Sequence, residues 1–164
     1  MSFFPPTGAY VLLIRVQTPV TICVGQLGNV EFVAGWYAYV GSAMGRTSTT
    51  LHSRLKRHFA PASQKKLHWH VDYLLASPQT VLAGAIAVSS IERLECKIVQ
   101  LLRGVNCQFW GPRFGASDCI VCSSHLLLLR LVEENLPSDS ILLTMQNDIQ
   151  QQYPEVRMVL PPDA

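Results

Sequence analysis

The period of the apolar pattern changes near residue 47, and that change confines the chain to a fold that mixes β and α elements. Residues 8–16, Gly-Ala-Tyr-Val-Leu-Leu-Ile-Arg-Val, are rich in β-branched and apolar types and lie between Pro-Thr-Gly and Thr-Pro, which predicts a strand. Residues 20–24 and 30–33 flank Gly-Gln-Leu-Gly-Asn and read as a hairpin. Gly35 opens another extended run, Trp36 to Val40, that ends at Gly41-Ser42. The first part of the chain is therefore expected to be an antiparallel β-meander. Past Thr47 to Thr50, which offer several helix caps, Leu51, Leu55 and Phe59 recur at every fourth position and Pro61 stops the helix.

Further along, a short helix is expected within residues 64–76, ending before Ser77-Pro78, and a strand over 80–88. Ser89-Ser90-Ile91-Glu92 has the pattern of a capping box. It would open a helix striped by Ile91, Leu94, Ile98 and Leu101 and closed by Gly104. Residues 104–125 read as loop, and His125 to Val132 as an apolar run compatible with either periodicity. The Gln-rich, Pro-ended segment after Pro137 suggests an added helix at 139–151. The expected class is α+β, a small antiparallel sheet flanked by helices. Residues 1–132 would form the domain and 133–164 a C-terminal extension.

The chain's 164 residues suffice for one domain with a sizeable core, and 49% hydrophobic against 15% charged residues excludes a disordered chain. The net charge of +2 means that any basic patch must be local. Five cysteines, an odd number, do not suggest the paired bridges of a small secreted domain. Met1-Ser-Phe-Phe-Pro-Pro lacks a basic n-region and a long apolar h-region, so no signal peptide is expected. Runs such as Leu126 to Leu129 are too short to span a bilayer. The expectation is a cytoplasmic protein with no membrane partner.

Several constellations could carry chemistry. Tyr10 and Tyr39 stand near the ends of two predicted strands; a strand tyrosine usually packs, but its phenol can also position or deprotonate a water. Arg54 lies on the first helix, where a guanidinium is either solvated or presents its planar fork to phosphate. Lys56, Arg57 and His58 would enlarge that cationic surface. Glu95 falls beside an apolar stripe, where a carboxylate is uncommon unless paired or bound to metal; one carboxylate plus substrate phosphate can hold Mg²⁺. His68, His70 and Asp72 could form a metal site or a hydrogen-bonded cluster. Cys119, Cys122 and His125 could bind zinc or carry thiol chemistry, or be buried thiols with a loop-fixing histidine.

The order of these elements resembles the GIY-YIG nuclease superfamily. The first strand carries Gly8-Ala9-Tyr10 and a later one Tyr39-Val40-Gly41. A helix then carries Ser53-Arg54-Leu55, and a further helix Leu94-Glu95. The match is closest to a small branch found as stand-alone domains and as fusions to archaeal endonuclease-III-type proteins. Supporting it are Tyr39-Val-Gly-Ser-Ala-Met-Gly45, Arg54-Leu-Lys-Arg-His58, Leu67-His-Trp-His-Val-Asp-Tyr-Leu74, Glu92-Arg-Leu-Glu-Cys96 and Phe114-Gly-Ala-Ser-Asp-Cys119. The resemblance covers roughly residues 7–130 and implies a metal-dependent endonuclease whose partner is nucleic acid, DNA first. It implies Tyr10 as general base or water-orienting group, Tyr39 as its support, Arg54 on the scissile phosphate and Glu95 on one Mg²⁺ or Mn²⁺. Arg57, His58, His68, His70, Ser117 and Asp118 would contact substrate, and Cys119, Cys122 and His125 could hold Zn²⁺. Ala9 and Val40 stand where the motifs carry Ile, and the gap between the motifs is long. Asn106 stands near the spacing at which many members place an Asn, but its context does not match. Two rivals keep the same chain: a non-catalytic nucleic-acid-binding module, and a zinc or thiol protein centred on the Cys-x-x-Cys loop.

Overall fold

The computed structural model describes residues 6–104, 106–131 and 135–162. Strand β1 (Gly8–Val16) is central to a six-stranded antiparallel sheet, between β4 (Gly35–Ala43) and β5 (Thr80–Ser89). Beyond β4 lie β7 (Leu126–Leu129) and then β6 (Cys107–Phe109); beyond β5 lies β8 (Val156–Val159). The expected α+β class, an antiparallel sheet flanked by helices, is the observed one. The expected meander is not: β2 (Val20–Cys23) and β3 (Asn29–Phe32) pair only with each other, as a separate ribbon. Both edges of β1 are taken by β4 and β5, so the hairpin has no edge of β1 to join.

Side chains alternate across β1, which gives the sheet two buried faces. Tyr10, Leu12 and Ile14 point to one face with Tyr37, Tyr39, Ala85 and Leu126. They are covered by α1 (Leu51–Phe59) and α2 (His70–Leu75), with Phe32 of the ribbon and Phe114. Val11 and Leu13 point to the other face, under α3 (Glu95–Arg103) and α4 (Ser138–Gln150). The segment expected as an extension thus supplies α4 and β8 to the same core and sheet: Ile141, Leu142, Met145 and Ile149 are buried, and β8 pairs with β5. The helix expected over 139–151 is present as α4, whereas β8 was not foreseen.

Between residues 89 and 125 the elements differ from expectation. The helix expected from Ile91 starts at Glu95, and Ile91 is 91% exposed. Ser89 to Glu92 form no capping box. Ser90 Oγ accepts the Glu92 N–H at 2.9 Å, and the Glu92 carboxylate lies 3.4 Å from Lys97 Nζ. The buried stripe of α3 is Ile98, Val99 and Leu102, with Leu101 only half-buried. The loop expected over 104–125 contains β6. The run from His125 resolves as strand β7, and its last residue, Val132, lies outside the described residues, as do Met1 to Pro5. The helix foreseen in 64–76 is α2, ending at Leu75. Among the described residues, no helix is long and apolar enough to cross a membrane.

Candidate functional site

Strand β4 outruns its neighbour β7. Their pairing stops at Tyr39–Leu126, after which the Val40 N–H reaches only the His125 carbonyl. Beyond that point the chain before β7 leaves the sheet, and a cleft of about 650 Å³ opens against Val40, Gly41 and Ser42. Tyr10, Tyr39, Arg54, His68, His70, Glu95, Ser117, Asp118, Cys119 and His125 all contribute to its walls. Of the residues expected to carry chemistry, Lys56, Arg57, His58, Asp72 and Cys122 lie outside that lining.

Tyr10 and Tyr39 stand on the same face of the sheet, since Tyr10 is paired with Gly41, two residues beyond Tyr39. The glycine of the Tyr39-x-Gly41 pattern has a steric reason. A Cβ on Gly41 would sit 2.4 Å from the Tyr10 ring and hydroxyl. Burial holds both phenols well above their ordinary range; Tyr39 adds to the effect on Tyr10, Asp72 and Glu95 add to that on Tyr39, and the Arg54 guanidinium opposes both. His58 is not the surface cation expected. It is buried, its Nε2 lies 2.9 Å from the Tyr10 hydroxyl, and burial pulls its pKa down to about 3, helped by Lys65, Arg57 and Arg54. A neutral imidazole can accept the Tyr10 proton in a hydrogen bond, which leaves the phenol oxygen's lone pairs for another donor.

Arg57 is likewise engaged inside the fold. Its Nη2 donates to Asp72 Oδ2 at 2.6 Å and to the Lys66 carbonyl at 2.8 Å. Asp72 is buried and also accepts the N–H groups of His68 and Trp69, capping α2. The three side chains of the His68/His70/Asp72 motif thus take separate partners: Asp72 holds Arg57 and the start of α2, and the two imidazoles point elsewhere. His70 Nδ1 accepts the Gly115 N–H at 2.9 Å, and His68 stacks edge-on against Trp69. Arg54 lies over the same indole, 3.8 Å from the ring centroid, and its buried Nε has no hydrogen-bond partner. No carboxylate lies within ion-pair distance of it among the described residues. Glu95 opens α3 with its side chain 14% exposed and only a 3.9 Å contact to Arg93, so most of its acceptor capacity is unused.

The second constellation in the cleft is sulfur-rich. Donor atoms of Cys96, Cys119, Cys122 and His125 all lie within 4.8 Å of one another. A tetrahedral zinc with 2.3 Å sulfur bonds needs donors about 3.8 Å apart, so this group could hold a metal ion. Cys96 was not foreseen as a member, and neither His68 nor His70 belongs to the group. Sequence offered one signal for Cys96: it is the cysteine that directly follows Glu95. Burial opposes ionisation of Cys119, but the N–H groups of Cys122 and Val121 outweigh it and hold the thiol below its usual range. The Cys122 N–H lies 3.2 Å from Cys119 Sγ. Burial raises Cys96 and Cys122 and lowers His125. His125 makes a backbone hydrogen bond with Gly115 while its Nε2 faces Cys96 Sγ at 3.9 Å, the arrangement by which an outer partner orients a ligating imidazole. Gly115 itself has φ +67°, and a Cβ there would lie 2.7 Å from the Tyr39 ring.

Fold and site together define a three-layer α+β domain with a cationic, carboxylate-bearing cleft that three members of a four-residue Cys/His group help to line. The family model described as "Domain of unknown function DUF123" matches residues 9–146, and the chain belongs to that family. No curated protein and no solved structure matches it.

Proposed function

We propose that the protein is a metal-dependent phosphodiester hydrolase of GIY-YIG type, acting on nucleic acid and on DNA first, in a cytoplasmic, reducing setting that keeps its cysteines as thiols. The observation that carries this reading is the gathering of Tyr10, Tyr39, Arg54 and Glu95 in one cleft, since they come from four different elements far apart in the chain. Arg54 supplies an unpaired, half-buried guanidinium suited to the scissile phosphate and to the charge that grows on it. Tyr10, its proton committed to His58, orients the attacking water through its oxygen; Tyr39 holds that water from the other side. A divalent ion, Mg²⁺ or Mn²⁺, bound by Glu95 would polarise the phosphate and stabilise the leaving oxygen. Exposed Ser117 and Asp118, with His68, His70 and Arg93, form the rim over which a strand would run.

The Cys96/Cys119/Cys122/His125 group is assigned Zn²⁺ by its donor chemistry: three sulfurs and one imidazole nitrogen suit that ion and not Mg²⁺. Four protein ligands leave no open position, so its role is to tie the start of α3 to the loop before β7.

The test is incubation of zinc-loaded protein with branched, nicked and abasic DNA, with Mg²⁺, with Mn²⁺ and with neither added. Cleavage that requires the added ion supports the proposal. Salt-dependent binding without cleavage in any condition moves the protein to a binding module on the same cleft. Neither binding nor cleavage leaves only the Cys/His centre.

A further inference from the structure

Arg54 does not stand alone in its cleft. The guanidiniums of Arg54 and Arg57, three residues apart on α1, both lie over the ring of Trp69, at 3.8 and 4.0 Å from its centroid. Two cations on one indole repel each other, and what makes the stack tolerable is that they are not equivalent. Arg57 is matched by the buried Asp72 carboxylate at 2.6 Å and tied to the Lys66 carbonyl. Asp72 is in turn fixed by the backbone N–H groups of His68 and Trp69. The net positive charge of the stack therefore resides on Arg54, whose Nε is buried without a partner. Trp69 packs its remaining surface on the core, with the His68 ring against it at 4.9 Å.

We infer that Trp69 is a positioning residue for Arg54: the indole, anchored through Asp72 and Arg57, fixes the plane in which Arg54 presents its fork to a phosphate. A free arginine side chain samples many rotamers, and each must be given up when the fork binds. Stacking on a rigid ring removes that freedom beforehand, while the ring's quadrupole stabilises the charge without neutralising it as a carboxylate would. This rests on the reading of Arg54 as the phosphate-binding group.

The experiment is a double-mutant cycle on binding of a fluorescein-labelled branched DNA by zinc-loaded protein without added Mg²⁺. Its arms are Arg54→Ala, Trp69→Leu, the pair together, and Trp69→Phe. Leucine keeps apolar bulk on the core and removes the π face; phenylalanine keeps both in smaller form. Thermal unfolding of every variant confirms that it folds. Trp69→Leu should weaken binding about three- to thirtyfold, the range from an exposed to a desolvated cation–π contact. It should have no further effect once Arg54 is alanine, and Trp69→Phe should restore most of the loss. If Arg54→Ala weakens binding and Trp69→Leu does not, or if their losses simply add, the positioning role is overturned and the reading of Arg54 survives. If Arg54→Ala itself leaves binding unchanged, both fall.

Discussion

Acidification should destabilise this protein through His58. The imidazole is 1% exposed and bonded to Tyr10, with its pKa moved from 6.5 to about 3. A group whose folded pKa is depressed contributes no penalty above its unfolded pKa. Below it, the unfolded chain takes up a proton that the native state refuses, so stability falls as pH drops from 6.5 toward 3. Each pH unit in that window is worth about 1.4 kcal/mol, so at pH 5 the loss from this one residue is about 2 kcal/mol. That is a visible fraction of a stability of roughly 5–15 kcal/mol. His58→Gln keeps a hydrogen-bonding end near Tyr10 but cannot titrate. Urea unfolding between pH 4 and 8 should therefore give a wild-type stability curve steeper than the variant's by about one proton below pH 6. His70 and His125, also lowered by burial, contribute to both proteins and cancel in the difference. Parallel curves would mean that His58 titrates normally in the folded state, and the account of the Tyr10–His58 pair would be wrong.

Other outcomes follow from the cleft. Glu95→Gln should abolish cleavage while leaving the fold and most DNA binding intact, read as single-turnover rate beside affinity; undiminished cleavage would move the activity elsewhere. Arg54→Ala should lower the slope of log affinity against log salt by about one, the signature of one lost phosphate contact. Gly41→Ala places a methyl 2.4 Å from the Tyr10 ring. It should cost about 1–3 kcal/mol by overpacking and depress cleavage more than binding, checked by thermal unfolding and rate together. Cys96→Ser should remove bound zinc, measured by metal analysis of the purified protein; full zinc occupancy in the variant would exclude Cys96 as a ligand.

What was legible in the sequence was local. Gly8–Val16 announced a strand by composition, and Leu51, Leu55 and Phe59 a helix by spacing, because burial on a flanked sheet imposes those patterns. Pairing was not legible. Nothing in residues 20–33 says that their hairpin must stand apart, since that depends on β5 taking the second edge of β1. The start of α3 was misread because Ile91 falls in phase with Leu94 and Ile98 by position alone, and only the fold shows that the chain does not become helical until Glu95. β8 is four residues long and is defined by the β5 edge it completes. Within the site, Tyr10, Tyr39, Arg54 and Glu95 could be named from their motifs. Cys96 could not be joined to Cys119, 23 residues away, because the sheet and α3 alone bring them together. His58 and Arg57 were misassigned for the opposite reason: on a helix wheel they share a cationic face, yet a buried phenol claims one and a buried carboxylate the other.

The two metal positions proposed for this cleft differ in charge, and that difference assigns their roles. Three thiolates against one Zn²⁺ leave the Cys/His centre with a net charge of about −1 and a filled tetrahedral shell. Such a centre would repel a phosphodiester rather than polarise it, which leaves the ion proposed at Glu95, one residue from Cys96, as the Lewis acid of the proposed reaction. A zinc there would act on that ion only through the chain, by fixing where α3 begins and where the loop carrying Ser117 and Asp118 lies. Stripping both metals with a strong chelator and restoring them separately resolves this. Mg²⁺ alone should return little cleavage, because Glu95 is no longer held. Zn²⁺ alone should return the fold of the loop, seen as protection of residues 111–125 from hydrogen exchange, but not cleavage. Both ions together should return both. Full recovery with Mg²⁺ alone, in protein shown to be free of zinc, would mean that the Cys/His centre does not shape the cleft. Cleavage with Zn²⁺ alone would place the Lewis acid at the thiolates and overturn the charge argument.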